Sequence, residues 1–175
     1  MKRTLSFGLW LFFFSLVLNG QTSDQQELIR DAEKAKAAFI AEDSDMEELF
    51  NKAAGYAIFP NVGKGAYIVG GASGNGVVYK NGEVIGMADL KQLDVGLQIG
   101  GKAFSEALIF QTHAALEDFK SGDFKLSGNA SAVIVKEGAA KSIQFNEGVA
   151  VVTLPKAGAM VDISVGGQKF GYEKF

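Results

Sequence analysis

Side chains suited to chemistry are sparse in this chain. It has one histidine, His113, and no cysteine, so it lacks the imidazole and thiolate cluster that a zinc site uses and the thiol that a cysteine nucleophile requires. A Ser-His-Asp triad would have to draw on that single imidazole, and no Gly-x-Ser-x-Gly elbow presents a serine to it. Glycine clusters occur at Gly63-Lys64-Gly65, from Gly70 to Gly76, and at Gly100-Gly101-Lys102. None matches the phosphate-loop pattern, and none leads from a strand into a long helix, whose N-terminus makes such a loop an anion cradle. They read as turns and bulges. Asp89, Asp94, Asp118, Asp123 and Asp162 show no spacing that brings two carboxyls together as acid and base, and Asp94 is expected to bond to nearby backbone amides. The sequence therefore predicts a protein that is not an enzyme and uses no metal or cofactor.

The first twenty residues differ from the rest. Lys2 and Arg3 precede an apolar run from Leu5 to Leu18, and Asn19-Gly20-Gln21 supplies a small residue at a cleavage point. Such a tripartite N-terminus reads as a secretory signal peptide, since crossing a bilayer takes roughly twenty apolar residues. Residues 1–20 are thus expected to be removed near Gly20, and export to the periplasm or cell envelope is the expected localisation. Losing Lys2 and Arg3 takes the formal charge from −3 to −5. That sign opposes nucleic acid and makes any anion site a local patch. Arg30 is then the one arginine left, and lysine is the weaker residue for bidentate phosphate recognition.

Residues 21–175 read as a single domain, helical from 21 to 55 and mainly β from 56 to 175. Leu28, Ala32, Ala35 and Phe39 recur on one helical face between Ser23 and Ala41, with Ser23 and Gln26 placed as a capping box. Ser44 and Glu47 suggest a second box, opening a short helix through Leu49 and Phe50 that stops at Gly55. Beyond Gly55 the period becomes two. Strands are expected over 56–60, 66–70, 76–79, 84–90, 93–100, 103–110, within 124–135, and over 142–145, 149–154, 160–165 and 169–172. Asn81-Gly82 is placed as a type I′ hairpin turn, and Thr112 caps a short inserted helix from His113 to Lys120. The expected class is α+β: a mainly antiparallel sheet, strongly curved or barrel-like, with two N-terminal helices and one inserted short helix.

From Gly55 to Gly65 the run Gly-Tyr-Ala-Ile-Phe-Pro-Asn-Val-Gly-Lys-Gly resembles the opening motif of the SYLF domain. The likeness continues through Gly70-Gly71, Gly74 to Val78, Val95 to Gly101, Phe124-Lys125-Leu126 and Gly158 to Gly167. The resemblance implies an α+β domain that binds phosphoinositides or other anionic lipids peripherally at a membrane surface, with the N-terminal helix and nearby basic residues at the membrane. On that reading the candidate lipid-binding residues are Arg30, Lys34 and Lys36 with the apolar Phe39 and Ile40. Lys64 and Lys102, glycine-flanked at strand ends, are further candidates. The alternative is a small outer-membrane or envelope structural β protein without a specific lipid ligand. Counting back by twos from Phe175 gives Glu173, Gly171, Lys169 and Gly167, which is no lipid-facing strand.

Overall fold

The computed structural model describes residues 22–63, 71–93, 103–127, 130–156 and 165–175. The first helix, α1 (Ser23–Glu42), starts on a capping box one residue earlier than the sequence suggests: Thr22 Oγ1 accepts from the Gln25 amide, and the Gln25 side chain accepts from the Thr22 amide. The second, α2 (Asp45–Lys52), begins at Ser44, whose side chain makes no capping bond. Asp43 does that work. Its carboxylate accepts from the Asp45 amide at 3.2 Å and from the Ala140 amide at 2.8 Å. The Ala140 bond holds the carboxyl below its ordinary range and fastens the helix junction to a 3-10 turn at Ala139–Ser142. The strand expected over 142–145 does not form: Ser142 ends that turn and residues 143–145 are irregular.

The strands are β1 (Gly55–Gly63), β2 (Gly71–Lys80), β3 (Glu83–Leu93), β4 (Ala103–Phe110), β5 (Phe124–Lys125), β6 (Val133–Ile134), β7 (Val149–Pro155) and β8 (Gln168–Lys174), with helix α3 (His113–Phe119) between β4 and β5. They form one sheet in the order β5-β8-β3-β2-β1-β4-β7-β6, antiparallel except for β6 beside β7. Asn81 and Gly82 take φ of 53° and 80°, closing the β2–β3 hairpin at Lys80 and Glu83 as expected for a type I′ turn. An added Cβ at Gly82 meets open space, so Gly82→Val isolates the cost of forcing a β-branched residue to positive φ. Chemical denaturation is expected to show a loss of about 1 kcal/mol or more.

Two observations show how strongly the sheet curls. Eight residue steps from Lys125 to Val133 span at most about 29 Å, whereas the edges of a flat eight-stranded sheet lie about 34 Å apart, yet these residues sit on opposite edges. The Gln168 side chain of β8 also bonds to Glu106 of β4, four places away in the sheet. A curled, half-barrel sheet meets both constraints, and the fold is the expected β-rich α+β class.

Curling gives the sheet an outer and an inner face, both apolar. Tyr56, Ile58, Val77, Ile109 and Val152 point outward under α1 and α2, against Ala32, Ala35, Phe39, Met46 and Phe50. Phe59, Val78, Leu108, Val151 and Phe170 point inward against Leu116 and Phe119 of α3. Because both faces are covered, β1 and β4 read as near-continuous apolar runs. The expected strand over 66–70 lies outside the described residues, as do those over 93–100 and 160–165 apart from Leu93 and Val165.

Candidate functional site

Helix α1 carries most of the basic and apolar residues singled out above, and its packing decides what they can do. Phe39 is fully buried, edge-on to Phe50 with ring centroids 6.3 Å apart. It is a core residue and offers no surface anchor. Ile40 is half-buried against the same cluster, with Leu28 and Ile29. Lys36 turns inward: its Nζ donates to Tyr56 Oη at 2.9 Å and lies 4.8 Å from the Tyr56 ring centroid and 5.4 Å from that of Phe50. A cation over two aromatic faces ties α1 to α2 and β1.

Arg30 and Lys34 remain exposed, and Lys34 Nζ sits 3.1 Å from Asp31 Oδ1. Other exposed lysines are matched in the same way, Lys91 with Asp89, Lys125 with Asp123 and Lys141 with Asp45, at 3.2 to 3.3 Å. The structure therefore brings Arg30 and Lys34 to one exposed helix surface and separates them from Lys36 and Phe39. Lys64 and Lys102, like Asp94, lie outside the described residues.

A groove of about 630 Å³ runs between the first half of α1 and strands β3 and β8. Asp24, Glu27, Asp31, Asp89 and Glu173 line it. A Cβ at Gly171 would collide with the Asp89 carboxylate, so glycine there makes room for that charge. Clustered carboxylates repel an anionic headgroup from this side of the molecule.

On the inner face, at the end away from α3, four polar side chains form a buried layer. Glu106 and Thr153 are cross-strand partners on β4 and β7, and Gln92 and Gln168 are partners on β3 and β8. Glu106, Thr153 and Gln168 are fully buried. Gln168 Nε2 donates to Glu106 Oε2 at 3.0 Å and to Gln92 Oε1 at 3.3 Å, joining the two strand pairs across the interior. Glu106 Oε1, Thr153 Oγ1 and Gln168 Oε1 have no hydrogen-bond partner. Burial pushes the Glu106 carboxyl up to about 8, with the bond from Gln168 opposing, so it is a neutral acid at pH 7.

Sequence reasoning passed over this layer. The available signal was Glu106 inside the apolar run of β4, in phase with the inward-facing Phe104, Leu108 and Phe110. One carboxyl among amides and a hydroxyl makes no acid-base pair, and no cluster of His, Asp and Glu among the described residues is suited to a metal ion.

The family model described as Las17-binding protein actin regulator, Ysc84, matches residues 91–174. Among curated proteins, Beta cell expansion factor A from Aeromonas veronii is 25% identical over 162 residues, covering 90% of this chain and 61% of the relative. The chain thus spans about three fifths of the length of that relative. The match takes in β4, α3, β7 and β8, and with them Glu106, Thr153 and Gln168 of the buried layer. Residues 91–174 of the chain thus carry a match to the Ysc84 (SYLF) family model, and the remainder is similar to that relative more weakly.

Proposed function

We propose that this protein is a non-catalytic lipid-binding domain that acts peripherally at membranes of the cell envelope, after export and loss of residues 1–20. The observation that carries the reading is the SYLF family match, which supports lipid binding in general. Two structural features shape the finer statement. The exposed lysines named above are matched by carboxylates, and the groove beside α1 is acidic, so contact led by apolar surface accords better with this exterior than capture of a phosphoinositide. Helices α1 and α2 cover the outer face of the sheet, which an outer-membrane barrel would turn toward lipid.

The test is co-sedimentation of the protein, recovered from the envelope fraction with its mass checked for the loss of residues 1–20, with zwitterionic and with anionic vesicles at low and high ionic strength. A basic side chain near an anionic surface contributes about 1 kcal/mol, so reversing Arg30 and Lys34 to glutamate would weaken an anionic-headgroup site by tenfold or more. The expectation is a change within about threefold and weak salt dependence. No sedimentation with either vesicle would overturn the lipid reading. A steep loss in the double variant would restore the anionic-headgroup reading centred on α1.

A further inference from the structure

The inner face is closed by different chemistry at its two ends. Toward α3, Phe110, Phe119, Phe124 and Phe170 pack with ring centroids between 4.9 and 6.0 Å apart. That end is aromatic. Toward the other end, among the described residues, lies the polar layer, where Gln168 reaches across from β8 to Glu106 and three buried oxygens go unpaired. Unpaired buried polar atoms are a standing cost that local opening and hydration would relieve. Two of the three belong to Glu106 and Gln168, so the cost bears on the junction between β4 and the start of β8. A hinge lies beside it: Gly166-Gly167, with Gly167 at φ +79°, precedes β8 and is fastened by backbone bonds between Gly167 and Leu126 and between Leu126 and Gln168.

We propose that the Glu106–Gln168 bond is a proton-held clasp. While Glu106 is neutral the start of β8 stays pinned across the interior; when Glu106 loses its proton this end swings out and offers the inner apolar wall to lipid acyl chains. This rests on the lipid-binding reading above and names the surface and its control. A neutral carboxyl is tolerated in apolar surroundings, whereas a carboxylate there draws in water or forces the structure open.

The inward-facing neighbours of Glu106 are Phe59 on β1, Phe104 and Leu108 on β4, Val151 and Thr153 on β7, Leu90 and Gln92 on β3, and Gln168 and Phe170 on β8. None of these described residues is charged, so among them a carboxylate has the Gln168 amide to stabilise it. Burial holds the proton on to about pH 8, which sets the opening at mildly alkaline pH. The wall uncovered, with Phe59, Leu90, Leu108 and Phe170, carries no charge. It suits acyl chains of a zwitterionic membrane and needs no anionic headgroup.

The experiment pairs amide hydrogen exchange of residues 165–170, corrected for the intrinsic base-catalysed rate, with co-sedimentation on phosphatidylcholine vesicles, both at about pH 6 and about pH 9. Protection of 165–170 is expected to fall by about tenfold or more at the higher pH while Tyr56–Phe59 stays protected, with vesicle binding rising in parallel. Both changes vanish in Glu106→Gln. Gln168→Leu, which removes the donor, loses protection at 165–170 already at the lower pH and decides the matter should the first variant misfold. Protection that ignores pH, or an equal response in Glu106→Gln, overturns the clasp. Vesicle binding that is present but unmoved by opening also overturns it and leaves the lipid reading standing. Absence of vesicle binding under every condition overturns the lipid reading itself.

Discussion

Phe39→Ala is expected to destabilise the protein by about 3–5 kcal/mol, the cost of emptying a fully buried aromatic site that cannot collapse onto its neighbours. Phe39 lies between α1 and the outer face of the sheet, edge-on to Phe50, which in turn lies 5.0 Å from the Tyr56 ring. Removing the ring loosens that chain of aromatic contacts and, with it, the Lys36 cation–π contacts to Phe50 and Tyr56. Urea or thermal unfolding measures the loss directly. The value also separates two roles for α1. A helix whose apolar face waited at the surface for a membrane would lose vesicle affinity on Phe39→Ala and little stability, whereas a helix that is part of the core loses stability first. A change under about 1 kcal/mol would place Phe39 among exposed side chains and contradict the packing described here.

How much of this was legible in the sequence depends on the range of the interaction concerned. Asn81-Gly82 was readable because a type I′ turn is decided by the two residues that adopt it. Thr112 before α3 was readable for the same reason, since a cap and its amide lie three residues apart. The cap of α1 slipped by one residue because Thr22-Ser23 offers two adjacent hydroxyls with glutamines at matching offsets, and local spacing cannot rank them. At α2, the expected Ser44 cap lost to Asp43, whose carboxylate gains the Ala140 amide as well, a partner 97 residues away.

The stretch from Phe124 to Val135 alternates like a strand, and its strand pairings at Phe124–Lys125 and Val133–Ile134 lie on opposite edges of the sheet. Its alternation reflects a chain crossing from one edge to the other with one side on the inner core. Lys36 illustrates the same limit. At helix spacing it counts as a surface cation, and only the positions of Tyr56 and Phe50 on other elements draw it inward. The SYLF likeness, by contrast, was legible because it rests on an ordered set of glycines and apolar residues, and the family match bears it out over residues 91–174.

Glu106→Gln is expected to make the protein more stable, by an amount that grows with pH. The carboxyl is pushed up by burial from 4.5 to about 8 in the fold. Below about pH 4.5 both the folded and unfolded chains hold this proton, so its contribution is fully present. Between about pH 4.5 and 8 the unfolded chain releases the proton and the folded chain keeps it, so stability falls as pH rises, by on the order of 4–5 kcal/mol if the fold stays shut. Above that range both states are ionised and the loss is complete. Glutamine keeps the shape and the acceptor for Gln168, carries no titrating proton, and brings an amide donor to a site where Thr153 Oγ1 and Gln168 Oε1 are unpaired. Denaturant midpoints for parent and variant should therefore nearly coincide at about pH 4.5 and diverge steadily toward pH 8. Should the start of β8 open to hydrate the carboxylate, the parent stops losing stability once opening costs less than keeping the charge buried. The divergence then levels off early, and its plateau measures the free energy of opening the clasp. Parallel curves for the two proteins across this range would mean that Glu106 titrates as an exposed acid, and that the inner face is already wet.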